Sequence, residues 1–299
     1  MTISPSPFDR NPPKTKLPLA ANDVHIWTTK PDVQLQMDNA ENEQLIARYT
    51  KLLTAKELMK QQRYRFKNDR HDALITRAFV RDLLSYYADV APEDWQFEAG
   101  EKGKPELINS PLPLRFNLSH TKGLIICAVT LEDDIGIDVE NITRSNDVLA
   151  IANRYFSARE CEELFALPVE QQRSRFFDYW TLKESYIKAW GLGLSIPLKD
   201  FSFSFSHRFT DDADGVTDGV AAEFTEQGLL RNDITIGFAK HRDDDAQVWR
   251  NWLYYPSDKH RIAISLRAKE NNQTTDYRLR FFESIPLIGM TALTEHLSK

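Results

Sequence analysis

Apolar positions along this chain change period several times, and each change predicts an element. Residues 24–29 form a short apolar run that reads as a strand. Two helical stretches follow at 41–53 and 54–61, the second with Thr54 as N-cap. After a basic stretch at 63–71, Ala73, Ala78, Val80, Leu83, Leu84 and Tyr87 recur at helical spacing and predict a long amphipathic helix ending near Tyr87. Residues 94–113 are rich in Gly, Pro and Asn and read as a loop. Three strand-like runs come next, at 114–121, 124–131 and 135–139. Residues 147–155 look helical, Ser157-Ala158-Arg159-Glu160 is a capping-box pattern, and 170–190 predicts a second long helix that Gly191 and Gly193 stop. Strands are expected at 201–205, 234–238, 248–255 and 261–265, with polar loops at 210–219 and 269–276.

Each half thus carries one long helix and several strands. The fold class expected is α+β, built from two similar-sized lobes with a boundary near 130–135, at the acidic turn Glu132-Asp133-Asp134. The chain divides into a Pro-rich irregular arm at 1–22, an N-terminal lobe at 23–134, a C-terminal lobe at 135–268 and an extension at 269–299. Prolines at 5, 7, 12, 13 and 18 are the reason to read the arm as irregular.

Composition narrows the function classes. The 299 residues are 41% hydrophobic and 27% charged, enough for substantial cores. A net charge of −6 argues against a general nucleic-acid or membrane binder, while leaving room for a local basic pocket. Cys127 and Cys161 form no CxxC pair, which fits a reducing compartment and a cytoplasmic location. The longest apolar stretch, 124–129, is far too short for a membrane span.

Candidate chemistry begins at Ile135-Gly136-Ile137-Asp138-Val139-Glu140. Alternation along a strand sends Asp138 and Glu140 to one face and Ile137 and Val139 to the other. Two parallel carboxylates repel unless a cation or proton lies between them, and Mg²⁺ takes such hard oxygen ligands. A solvated strand end would look the same. In the second long helix Glu184 and Lys188 are one turn apart. By themselves they would pass for a surface pair, but Phe176, Phe177, Tyr179, Trp180, Tyr186 and Trp190 make this helix too aromatic to be exposed. Buried charges need partners. Phe116-Asn117-Leu118-Ser119-His120 offers a hydroxyl and an imidazole at a strand end, without the elbow of a serine hydrolase. Lys60, Arg63, Arg65, Lys67 and Arg70 crowd one region, with Lys102 and Lys104 further on, as a candidate anion site or a solvated charge run.

Four segments in order, Gly103-Lys104-Pro105, Phe116-Asn117-Leu118-Ser119-His120, Gly136-Ile137-Asp138-Val139-Glu140 and Trp180-Thr181-Leu182-Lys183-Glu184-Ser185-Tyr186-Ile187-Lys188-Ala189, resemble the surfactin-type (Sfp-like) 4′-phosphopantetheinyl transferases. The resemblance implies two α/β lobes in pseudo-twofold relation with coenzyme A between them. It implies Mg²⁺, or Mn²⁺, held by Asp138, Glu140 and Glu184, with Lys188 beside the reacting phosphate. Ser119, His120 and Lys104 would belong to the coenzyme A site, and one of Arg63, Arg65, Lys67 or Arg70 would meet the adenosine 3′-phosphate. The implied reaction moves phosphopantetheine from coenzyme A to a serine of an apo acyl or peptidyl carrier protein and releases 3′,5′-ADP. Lys188 and His120 would assist, and Glu184, directly or through water, would take the proton. The carrier could serve fatty-acid, polyketide, polyunsaturated-fatty-acid or peptide synthesis, with the enzyme a monomer that binds neither nucleic acid nor membrane. Two rivals share these residues: another Mg²⁺-dependent phosphoryl-transfer or pyrophosphate-cleaving enzyme, and a non-catalytic carrier-binding protein.

Overall fold

The computed structural model describes residues 14–34, 39–100, 102–206, 222–225, 228–272 and 276–297. Most of the arm, residues 1–13, and the loop expected at 210–219 lie outside the described residues. The first half runs β1 (Asp23–Thr29), α1 (Pro31–Gln34), α2 (Asn39–Leu52), α3 (Ala55–Gln62), α4 (Lys67–Leu84), β2 (Phe97–Ala99), β3 (Pro105–Leu107), β4 (Leu114–Thr121) and β5 (Leu124–Leu131). The second runs β6 (Asp134–Asn141), α5 (Val148–Tyr155), α6 (Ala158–Phe165), α7 (Val169–Trp190), β7 (Phe201–Phe205), β8 (Ala222–Thr225), β9 (Gly228–Arg231), β10 (Ile234–Phe238), β11 (Trp249–Ser257) and β12 (His260–Arg267). Two last strands, β13 (Arg278–Ile285) and β14 (Gly289–Leu297), complete the order.

The α+β expectation holds. One five-stranded sheet has the order β14-β13-β1-β5-β4, and a second has the order β6-β12-β11-β9-β8. The expected boundary at 130–135 falls at the turn between β5, inside the first sheet, and β6, an edge strand of the second. Strands β13 and β14 come from the segment read as an extension, yet they join the first sheet, with β13 parallel to β1. Local pattern does not announce a partnership between strands so far apart in sequence. The short β2–β3 hairpin stands inside the region read as loop.

Alternation sorts the strands into layers. Ile125, Cys127 and Val129 turn to α2 and α4, while Leu124, Ile126 and Ala128 turn the other way. There they meet Ile135, Ile137 and Val139 of β6 and Ile262, Ile264 and Leu266 of β12. The two sheets therefore pack face to face, with helices on their outer faces. This explains the continuous apolar run at 124–129, since a strand covered on both sides has no polar face to show. The outer face of the second sheet packs on α7, whose Phe176, Phe177, Tyr179, Tyr186 and Ile187 are buried. The N-cap read at Thr54 and the capping box read at Ser157 both form, and Thr54 with Glu57 makes a capping box as well.

One buried histidine gives the fold a pH signature. His25 on β1 is fully buried, with Nδ1 2.9 Å from the Tyr87 hydroxyl, which also accepts from Trp27 Nε1 at 2.6 Å. Burial, partly opposed by the Asp23 charge, pushes its pKa from 6.5 down to about 4. The folded protein keeps His25 neutral while the unfolded chain takes up a proton. Stability is complete above 6.5 and drains as pH falls towards 4. This histidine alone should cost about 2 kcal/mol between pH 7 and pH 5. Urea unfolding of wild type and His25→Phe at both pH values checks it; equal losses in the two proteins would mean the histidine charges freely in the fold.

Candidate active site at the lobe junction

The junction is built from β4, β6 and α7. Strands β4 and β6 are edges of different sheets, and side chains bridge them in place of a backbone ladder. Asn117 Oδ1 accepts from the Ile137 amide at 2.9 Å, and Ser119 Oγ accepts from the Val139 amide at 3.3 Å. Lys188 Nζ donates to the Ile137 carbonyl at 3.3 Å, and Lys104 Nζ donates to the carbonyls of Ile135 and Ala189 at 3.2 and 3.3 Å. Four backbone groups on the free edge of β6 are thereby satisfied. Burial lowers the Lys104 pKa to about 8.

On the face of β6 opposite the inter-sheet core lie Gly136, Asp138 and Glu140. Helix α7 crosses so closely there that a Cβ on Gly136 would stand 1.9 Å from the Ser185 carbonyl oxygen. This approach brings Lys188 onto Asp138: Nζ is 2.6 Å from Oδ1. Ser119 Oγ donates to the same oxygen at 2.9 Å and accepts from Lys188 Nζ at 2.8 Å. Asp138 Oδ2 is buried and has no partner among the described residues. Glu140 is paired with Arg144 at 2.6 Å. Burial raises the Glu140 pKa, and the Asp138 charge adds to it. Glu184 is raised to about 7, by burial first and then by the charges of Asp138 and Glu140, with Lys188 pulling the other way.

A cavity of about 950 Å³ opens beside this cluster, which is room for a nucleotide-sized ligand. Leu118 and His120, on either side of Ser119, line it, as do Asn141, Thr143 and Arg144 just beyond Glu140. It is also lined by α3, α4 and the link between them, with Lys60, Tyr64, His71, Asp72 and Arg77. Arg63, Arg65, Lys67 and Arg70, which the sequence offered for the 3′-phosphate, are not among the lining residues. Arg70 turns back onto the carbonyls of Tyr64 and Arg65, and Arg63 ends α3. The cavity face of α4 carries Asn68, Asp69, His71, Asp72 and Thr76 instead. Lys104 lies behind the cluster, on α7 and β6, with its neighbour Pro105 on the cavity wall. Lys60 stood in the basic crowd that the sequence singled out. Arg77, Lys122 and Arg144 carried no spacing signal, because tertiary packing alone gathers them.

Oxygen donors suited to a hard divalent cation are present. Asp138, Glu140 and Glu184 act on one another's charge, and Asp138 offers an orphaned oxygen. Among the described residues no three ligands are yet closed around one point. Lys188 and Arg144 stand on two of the three acids.

Residues 134–239 match the family model described as the 4′-phosphopantetheinyl transferase superfamily, and residues 39–132 match that described as 4′-phosphopantetheinyl transferase, N-terminal. The 4′-phosphopantetheinyl transferase HetI of Nostoc sp. is 35% identical over 186 residues, covering 62% of this chain and 75% of that protein. The 4′-phosphopantetheinyl transferase Sfp of Bacillus subtilis is 33% identical over 168 residues, covering 56% and 73%. The L-aminoadipate-semialdehyde dehydrogenase-phosphopantetheinyl transferase of Mus musculus is 29% identical over 151 residues, covering 47% and 49%. The two matched segments fall on either side of the β5–β6 turn that joins the lobes, and the acidic strand and α7 both lie in the second. This chain belongs to the 4′-phosphopantetheinyl transferase superfamily.

Proposed function

We propose that this enzyme transfers the 4′-phosphopantetheine arm of coenzyme A to a serine hydroxyl of an apo acyl or peptidyl carrier protein and releases 3′,5′-ADP. The observation that carries the reading is the meeting of Asp138, Glu184 and Lys188 beside a 950 Å³ cavity. The serine oxygen forms a bond to the phosphorus that bears the pantetheine arm. The bond from that phosphorus to the oxygen of the adenosine phosphate breaks. Such a reaction asks a protein chiefly for positioning and charge compensation.

Glu184, a carboxyl on α7 next to Asp138 and Lys188, takes the serine proton directly or through a water. Lys188 supplies positive charge at the reacting phosphate and His120 a donor from the cavity wall. Ser119 orients Asp138 and Lys188 through its hydrogen bonds. Lys104 holds the end of α7 against β6. Asp138, Glu140 and Glu184 would hold Mg²⁺, or Mn²⁺ in its place, and the ion would neutralise diphosphate charge when bound.

The deciding experiment incubates the protein with coenzyme A, Mg²⁺ and an apo carrier and then weighs the carrier. A gain of one phosphopantetheine supports transfer. Coenzyme A cleavage without carrier would point to a hydrolase, and binding without turnover to a non-catalytic carrier-binding protein. For the adenosine end, Lys60→Ala is expected to raise the coenzyme A KM about tenfold, the cost of one charge-assisted hydrogen bond. Arg63→Ala, Arg65→Ala, Lys67→Ala and Arg70→Ala should stay near wild type. The reverse pattern would return the 3′-phosphate to the basic stretch at 63–71.

A further inference from the structure

Arg144 stands in the turn after β6 and belongs to both the acidic cluster and the cavity. Its backbone is pinned. Arg173 of α7 donates to the Ile142 carbonyl at 2.7 Å, to the Asn146 carbonyl at 3.3 Å, to Asn146 Oδ1 at 3.1 Å and to the Arg144 carbonyl itself. Asn141 Oδ1 accepts from the Thr143 amide and hydroxyl at 2.9 and 2.7 Å. The side chain is not pinned in this way. It lines the cavity, is 60% exposed, and reaches back to Glu140, whose own side chain is only 13% exposed.

The charges of the site make this arrangement informative. Three carboxylates face two cations, Lys188 on Asp138 and Arg144 on Glu140. A divalent cation among the carboxylates would compete directly with both. A diphosphate arriving beside it would bring new negative charge that again needs compensation. The Arg144 pair is the cheaper to break, because its arginine is more exposed than Lys188 and gains less from the pair. A guanidinium on a fixed turn is suited to a phosphate, whose oxygens match its planar fork.

We infer that Arg144 is an exchanging cation: it neutralises Glu140 while the acidic centre is free, and it releases Glu140 to bind phosphate oxygens of coenzyme A when a divalent cation enters. The inference rests on the transfer reading and adds a phosphate-binding residue to it. Glu140 changes partner, from guanidinium to cation, and the pinned turn keeps Arg144 within reach of the cavity throughout.

Two binding measurements on Arg144→Met test it, since the two halves of the exchange move them in opposite directions. Mn²⁺ alone, titrated by electron paramagnetic resonance, should bind the variant more tightly than wild type, by up to about fivefold, because Glu140 has lost its competitor. Coenzyme A in saturating Mg²⁺, followed by equilibrium dialysis, should bind the variant roughly tenfold more weakly. Arg144→Lys should bring the Mn²⁺ affinity back towards wild type and recover only part of the coenzyme A affinity, lacking the bidentate fork. Unchanged Mn²⁺ affinity in Arg144→Met would overturn the competition, and unchanged coenzyme A affinity would overturn the exchange. Wild type that binds neither Mn²⁺ nor coenzyme A would remove the transfer reading and this inference together. Wild type that binds both, beside an indifferent variant, would remove only the role of Arg144.

Discussion

Asp138→Asn should lower carrier modification on the order of 10²–10³-fold, the loss met when one preorganised electrostatic group is taken from a reaction centre. Asparagine keeps the size of the side chain and an oxygen that can still accept from Ser119 and Lys188, which both converge on Oδ1. It removes the charge that balances Lys188 and the buried Oδ2 that has no partner among the described residues. It also removes one of the two charges that lift Glu184. The fold should survive, because Ile137 and Val139 on the other face of β6 still hold the strand in the inter-sheet core. Mn²⁺ binding should weaken at least 10-fold, roughly the loss seen for changes even around a metal's ligands. A variant that melts with wild type and still modifies the carrier at the wild-type rate, with Mg²⁺ and coenzyme A supplied, would take Asp138 out of the centre.

Gly136→Ala is expected to do comparable damage from a position that touches no substrate. The added Cβ would stand 1.9 Å from the Ser185 carbonyl oxygen and 2.3 Å from the Ala189 amide nitrogen. Both are backbone atoms of α7, so no side chain can swing aside and the helix itself must shift. Overpacking of this kind costs about 1–3 kcal/mol. The greater effect is on geometry: Asp138 is two residues along the strand, and Lys188 directly precedes Ala189 on the helix. A displacement of about 1 Å can cost on the order of 100-fold in rate. Gly237→Ala on β10 is the control, since its nearest neighbour, Ser202 Oγ, is 3.8 Å away. Urea unfolding and the transfer assay on the two variants separate packing from glycine loss in general. Equal behaviour would show that α7 can move along β6 without disturbing the centre.

Much of the path to the site was legible in the chain because its elements are strongly patterned. Strands β4 and β5 match the runs read at 114–121 and 124–131, and α7 begins one residue before the helix read at 170–190. Side-chain hydrogen-bonding chemistry carried Thr54 and Ser157 as helix starts. What escaped depends on partners distant in sequence. β13 has apolar residues at Leu279 and Phe281, but its place beside β1 exists only in three dimensions. The acidic turn shows the same limit. Asp133, read as part of the turn between the lobes, is fully buried and accepts from the Lys269 amide, Asn272 Nδ2 and the Tyr277 hydroxyl. In the site, Asp138, Glu184 and Lys188 were readable from period and aromatic context. Of the cavity's cations Lys60 stood in the basic run, but Arg77, Lys122 and Arg144 were not readable, because they come from three separate parts of the chain.

The return of β13 and β14 to the first sheet decides the order in which this protein can fold. Strand β1 lies between β5 and β13, so a chain emerging from the ribosome has its first lobe open on one side until its last strands appear. The second lobe, from β6 to β12, is contiguous and can complete its own sheet earlier. Pairing Asp23 with Arg278 closes one of the longest loops the chain contains, and contacts of that span slow folding. Until that pairing, β1 presents an unpaired edge flanked by apolar surface, the kind of edge that recruits another chain. Separately expressed halves cut at the β5–β6 turn should therefore behave unequally: the second half collects its whole sheet, whereas the first is left with an unfinished one.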